Sequence, residues 1–152
     1  MARTKGDTKT FDLLTWEPPQ PAKAFAPEKV RAATLRSTIC RAIALALKEC
    51  GQDRELIAAE IGEYLGESCP KNMLDAYASE AREDHTIPLV RFLGLVHATR
   101  DMRLLQILAQ QFGWAVIPAK YLPAIEEAIL ADKIEELTQR KAMARKTWKG
   151  GA

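Results

Sequence analysis

The chain has 152 residues, 47% of them hydrophobic and 28% charged, with 22 Lys and Arg against 20 Asp and Glu and a formal net charge of +2. A chain of this length buries roughly 68–70% of the surface its unfolded form exposes, enough for one core without covalent staples and too little for two full domains. The balance excludes a disordered polyampholyte and a membrane protein, and a charge so near zero does not by itself mark a nucleic-acid binder.

Cys40, Cys50 and Cys69 are odd in number, widely spaced and free of any C-x-x-C arrangement, which argues against a disulfide framework or a zinc knuckle and for a reducing cytoplasm. No signal-like apolar run follows the polar start Met1-Ala2-Arg3-Thr4-Lys5-Gly6, and nowhere do about 18 apolar residues stand together. A soluble, unexported protein of the cytoplasm, without membrane contact, is expected.

Residues 1–26 carry Pro18, Pro19 and Pro21, with Phe11, Leu13, Leu14, Trp16 and Phe25 at no sustained period. This reads as an extended arm, polar and disordered over 1–10, in which Phe11–Trp16 is apolar enough to dock on its own domain or a neighbouring subunit. Residues 27–117 form the helical domain. Its first helix is expected over about 28–50, where Leu35, Ile39, Ala42, Ile43, Ala46, Leu47 and Cys50 recur at spacings of 3 and 4 and Gly51 caps the end. Asp53 starts a second helix with the stripe Leu56, Ile57, Ile61, Tyr64 and Leu65, closed by Gly66. Ser68 is expected to cap a short third helix with Pro70 in its first turn and Met73, Leu74 and Tyr77 inward. A fourth helix begins near Thr86 and Pro88 and runs to about Ala98; a fifth begins at Asp101 and stops at Gly113. Trp114–Ile117 reads as buried extended connector. In residues 118–152, Leu122, Ile125, Ile129, Ile134 and Leu137 mark a long helix from about Leu122 into the basic run Arg140–Lys146. The fold class is all-α: a compact bundle of about six helices containing a helix-turn-helix, with an extended arm and a long C-terminal helix.

Nothing points to an enzyme. There is no Gly-rich phosphate loop, G-x-S-x-G or H-E-x-x-H, and neither His85 nor His97 has a nearby Cys partner, so no catalytic residue, cofactor or metal is expected. His97, between Val96 and Ala98, reads as a half-buried, satisfied histidine; the acidic pairs Glu126-Glu127 and Glu135-Glu136 read as a solvated helix face.

The second and third helices, broken at Gly66, have the arrangement of a helix-turn-helix, in which one helix braces and the next presents its outer face to the major groove. At 100° per residue the third helix turns Ser68, Asn72, Asp75, Ala76 and Ser79 outward, with Lys71 at the edge. Asn pairs bidentately with adenine, Asp accepts from cytosine, Ala touches a thymine methyl, and Ser reaches base or phosphate. Charge opposes this: residues 67–86 hold Lys71 and Arg82 against Glu67, Asp75, Glu80, Glu83 and Asp84, a net of −3. Compensation is available at +4 over residues 28–48 and +5 over 137–152, the latter from Arg140, Lys141, Arg145, Lys146 and Lys149. Phosphate contacts and base contacts can sit on different elements. The alternative reading of both basic runs is a solvated surface.

Four runs, Ala59–Gly66, Met73-Leu74-Asp75-Ala76-Tyr77-Ala78-Ser79-Glu80-Ala81-Arg82, Ile87–Leu93 and Ala98–Leu105, resemble small regulators of temperate and Mu-like bacteriophages, including the phage regulatory protein CII type, over roughly residues 54–117. The resemblance implies a prophage helix-turn-helix transcription regulator acting in the lysis–lysogeny or early-gene decision. Base contacts are then expected from Asn72, Asp75, Ala76 and Ser79, phosphate contacts from Ser68, Lys71 and Arg82, and a non-specific clamp from Arg140, Lys141, Arg145 and Lys146. The partners are double-stranded DNA, a second copy of the chain, since single recognition helices read few base pairs, and host RNA polymerase. The rival readings are an antirepressor-like protein-interaction module and an accessory DNA-binding factor in phage transposition.

Overall fold

The computed structural model describes residues 20–150, and over them the chain is all-helical, with seven α-helices, one 3-10 turn and no strand. The expected fold class holds. The expected docking of Phe11–Trp16 lies outside the described residues. The chain divides into a helical unit, Pro21–Val116, and a second unit that carries the C-terminal helix.

In the helical unit the single helix expected over 28–50 is two. α1 (Pro27–Val30) stops at Arg31, whose backbone is extended, and α2 (Leu35–Glu49) starts afresh from Thr34, whose hydroxyl oxygen accepts from the Ser37 N–H at 3.1 Å. The cap satisfies a donor that the first turn leaves without a partner, and apolar spacing alone does not register it. α3 (Arg54–Leu65) ends on Gly66 with φ 70°, a left-handed cap that glycine takes without strain. α4 (Lys71–Tyr77) corrects the expected start: Pro70 itself holds the N-cap position, with no side-chain hydrogen bond, and Ser68 caps nothing. α5 (Leu89–Thr99) follows Pro88, and α6 (Arg103–Gln110) has Met102, not the expected Asp101, at its N-cap position, with Asp101 just before it accepting at Oδ1 from the Arg103 N–H at 3.1 Å.

One core unites these helices. Ile43 of α2, Ile57 and Ile61 of α3, Leu74 of α4, Leu95 of α5 and Leu104 of α6 are fully buried, each contributing about 1.5–3 kcal/mol relative to exposure. α3 and α5 pack closely because Gly94 has no side chain; a Cβ there would lie 2.9 Å from Ile61 Cγ2 and 3.2 Å from Leu65 Cδ1.

Polar ties close the unit. Arg103 grips Asp101 with Nε at 2.8 Å and Nη2 at 2.6 Å, reaches Glu49 at the end of α2 at 2.8 Å, and lies 4.4 Å over the ring of buried Phe25. Phe25 therefore belongs to the helical unit, although the sequence assigns it to the arm. The buried Gln106 amide accepts from the Val116 N–H at 2.7 Å, and the Val116 carbonyl accepts from Ala22 at 2.8 Å. These bonds pin the connector after α6 as extended chain, as expected, but Trp114 is 74% exposed and not buried. The connector is held by its backbone, not by its ring.

In the second unit, a 3-10 turn at Ala119–Tyr121 leads into α7 (Leu122–Lys149), which starts where the periodicity places it, with Pro123 in its first turn. Its 28 residues span about 42 Å. No helix among the described residues is long and apolar enough to cross a membrane.

Candidate nucleic-acid interface

α3, the turn Gly66–Pro70 and α4 form the expected helix–turn–helix segment in sequence order. Gly62 makes the turn possible: a Cβ there would meet the Glu67 carbonyl oxygen at 2.9 Å, and the Glu67 N–H donates to the Gly62 carbonyl at 3.1 Å. Arg91, one turn into α5, clasps the other side. Its Nη1 donates to the Tyr77 hydroxyl at 2.9 Å, its Nε to Glu67 at 3.2 Å and its Nη2 to the Ser68 carbonyl at 3.4 Å. Three donors on one planar group thus fix the turn and the end of α4 together.

The outer face of α4 is narrower than the helical projection predicts. Lys71 and Asn72 are exposed on α4, whereas Ser68, exposed, precedes the helix, and Ser79, half-buried, and Arg82, exposed, follow its end at Tyr77 and so leave the projected face. Ala76 is 1% exposed, so it cannot reach a thymine methyl and is corrected from contact residue to core residue. The projection takes Met73, Leu74 and Tyr77 as the inward face, an arc of roughly 100°, whereas burial of Ala76 beside Leu74 and Tyr77 widens that arc to roughly 160°. Asp75 is engaged by the Arg54 guanidinium of α3, so its carboxylate braces α4 against α3 and is not a free acceptor for cytosine. Lys71 pairs with Glu55 at 2.5 Å; that bond holds the Glu55 carboxyl below its ordinary value and the Lys71 ammonium above its own.

The expected charge conflict is answered in part inside the unit, where Glu67, Asp75 and Glu80 each pair with an arginine. Glu80 lies 2.7 Å from Arg41 Nε, and Arg36 donates to the carbonyls of Glu80 and Glu83, both at 3.3 Å. The basic face of α2, expected to compensate by touching phosphate, instead ties down the acidic loop after α4. Sequence reasoning missed Arg36, Arg41, Arg54 and Arg91 as organisers because their partners are distant along the chain. Arg140, Lys141, Arg145 and Lys146 are exposed on α7, with Arg140 3.9 Å from Glu136. They belong to the second unit.

Of the groups suited to other chemistry, His85 has a buried Nδ1 without a hydrogen-bond partner among the described residues. His97 is half-buried and stacked on Tyr64 with centroids 3.9 Å apart. Cys40, Cys50 and Cys69 are free thiols, and burial pushes the Cys69 thiol up. Among the described residues no cluster of His, Cys, Asp or Glu could hold a metal ion. A cleft of about 360 Å³ is lined almost wholly by apolar side chains, including Ile39, Ile43, Ile87, Phe92 and Leu108, and presents no acid–base pair.

No family model matches the chain, and neither a curated protein nor a solved structure matches it.

Proposed function

We propose that this chain is a DNA-binding regulator that reads double-stranded DNA with the outer face of α4, acts as a homo-oligomer, and works by occupying operator or promoter sequence without a catalytic step. One observation carries the reading: a short helix held on three sides by Arg54, Arg91 and its own buried residues, with Asn72 and Lys71 left exposed side by side. Asn72 reads a base, Ser79 lies at the margin of that contact, Ser68 and Arg82 hold phosphates, and Lys71 joins them only by exchanging the Glu55 carboxylate for a phosphate oxygen. The basic end of α7 supplies sequence-independent attraction. The prophage setting, the bacterial cytoplasm and an encounter with host RNA polymerase rest on the resemblance of residues 54–117 alone.

The test is a shift assay with fragments of the source genome across about 50–200 mM salt, where several Lys/Arg–phosphate contacts produce a steep loss of affinity. No shift at the low-salt end refutes the reading. Footprints confined to transposon ends, with no promoter protected, would instead make the protein a transposition accessory. A protein-interaction reading has its own support: Leu89, Val90 and Leu93 are exposed on α5, close in sequence to the exposed acids Glu83 and Asp84. That surface suits a basic, apolar protein partner, as an antirepressor-like module would need.

A further inference from the structure

No residue of α7 is buried, and Ile125, Ile129, Leu130, Ile134, Leu137 and Trp148 all stand exposed along it. A helix derives most of its stability from packing against a neighbour, and these large apolar side chains, Ile125 and Ile129 on one stripe and Leu130, Ile134, Leu137 and Trp148 on another roughly 100° around the helix, mark an interaction surface. The charges of α7 say what covers it. From Leu122 to Glu136 the helix carries Glu126, Glu127, Asp132, Glu135 and Glu136 against Lys133 alone, a net of −4. From Leu137 to Lys149 it carries Arg140, Lys141, Arg145, Lys146 and Lys149 with no acid, a net of +5.

We infer that α7 pairs antiparallel with α7 of a second copy of this chain. A two-fold axis near Glu136 sets the acidic half of each helix against the basic half of the other, and the symmetry makes that match twice. A parallel pair would align like charges along its whole length. Within α7 the ion pairs use Lys133 with Glu136 at 2.6 Å and Arg140 with Glu136 at 3.9 Å, all near the middle. Glu126 and Glu127 at one end, and Arg145 and Lys146 at the other, are therefore the groups that meet across the pair. The apolar row steps sideways between Ile129 and Leu130, so the seam runs obliquely and the two helices cross at an angle.

The chain enters α7 at its N-terminus, so antiparallel pairing holds the two entry points at opposite ends, about 42 Å apart by helix rise. The pairing does not rest on the DNA-binding reading, and a failed shift assay leaves it standing.

The full chain, measured by sedimentation equilibrium, is expected to be a dimer that weakens with rising salt. The pairs Glu126→Lys/Glu127→Lys and Arg145→Glu/Lys146→Glu should each raise its dissociation constant by at least about tenfold, since four cross-helix attractions become repulsions in each case. An equimolar mixture of the two variants should recover tight association as a heterodimer, read by native mass spectrometry. Glu126→Gln/Glu127→Gln, which only neutralises, should weaken the dimer less than the reversal does. A monomeric wild-type chain at about 100 μM, far above the dissociation constants of specific interfaces, overturns the inference. So does a mixture that does not recover, or a reversal that leaves the dimer unchanged.

Discussion

Replacing Arg91 tests whether α4 is positioned by α5 or merely tethered to α3. The Arg91 side chain is 22% exposed and the Glu67 side chain 51%, so its three hydrogen bonds are unequal. The bond to Tyr77, a residue only 2% exposed, joins a charged donor to a buried hydroxyl and is worth about 1.5–2 kcal/mol. The exposed Glu67 pair adds about 0.2–1 kcal/mol, and the long bond to Ser68 adds little. Arg91→Ala should therefore cost about 2–3 kcal/mol in urea unfolding. Tyr77→Phe, which removes the hydroxyl and keeps the ring packed, should cost about 1 kcal/mol. Because both variants break the same bond, the double variant should cost about 1 kcal/mol less than the sum of the singles. Additivity within about 0.3–0.5 kcal/mol would mean that the clasp carries no energy and that α4 is set by its contact with α3 alone.

Gly94→Val should destabilise the chain by about 1–3 kcal/mol, because the new side chain meets Ile61 and Leu65 where α3 and α5 pack; an unchanged thermal midpoint would mean the two helices part without cost. Acid stability should follow Glu49 and Glu55, whose carboxyls are held below the ordinary 4.5, Glu49 foremost by the Arg103 hydrogen bond and Glu55 foremost by that of Lys71. The unfolded state protonates them first, so their contribution is complete above 4.5 and is lost as pH falls through the lowered folded values; urea midpoints from pH 6 downward should fall less steeply in Arg103→Leu/Lys71→Leu, and an identical slope would refute it. Asn72→Ala should relax preference at one base position by about 1–3 kcal/mol, while Lys146→Ala weakens binding to every sequence alike; uniform effects from both would refute the division of labour. Ala76→Asp should abolish cooperative unfolding by placing a carboxylate where the side chain is 1% exposed, and a well-folded variant with altered base preference would show that Ala76 faces outward after all.

Much of the helical unit was legible from local signals. Gly66 ends α3, Pro88 precedes α5, and Asp101 bonds the first N–H of α6, because each acts within one turn of itself. The start of α7 at Leu122 followed from its apolar spacing. The break at Arg31–Thr34 was missed because a favourable cap interrupts a period that both flanking segments continue. The candidate site was legible in part: Asn72, Lys71 and Ser68 are exposed, but Ala76 is enclosed and Asp75 is taken by Arg54.

The sequence alone determined the all-helical class, the near-neutral total and its uneven distribution, since propensity, period and composition need no partner from far along the chain. Only the tertiary structure decided which charges cancel. Arg41 meets Glu80, Arg54 meets Asp75, and Arg91 meets Glu67, across separations that no helical period encodes. The acidic stretch that opposed DNA binding is thereby tied to arginines of α2, α3 and α5, because ion pairs depend on distance in space and the fold alone sets that distance.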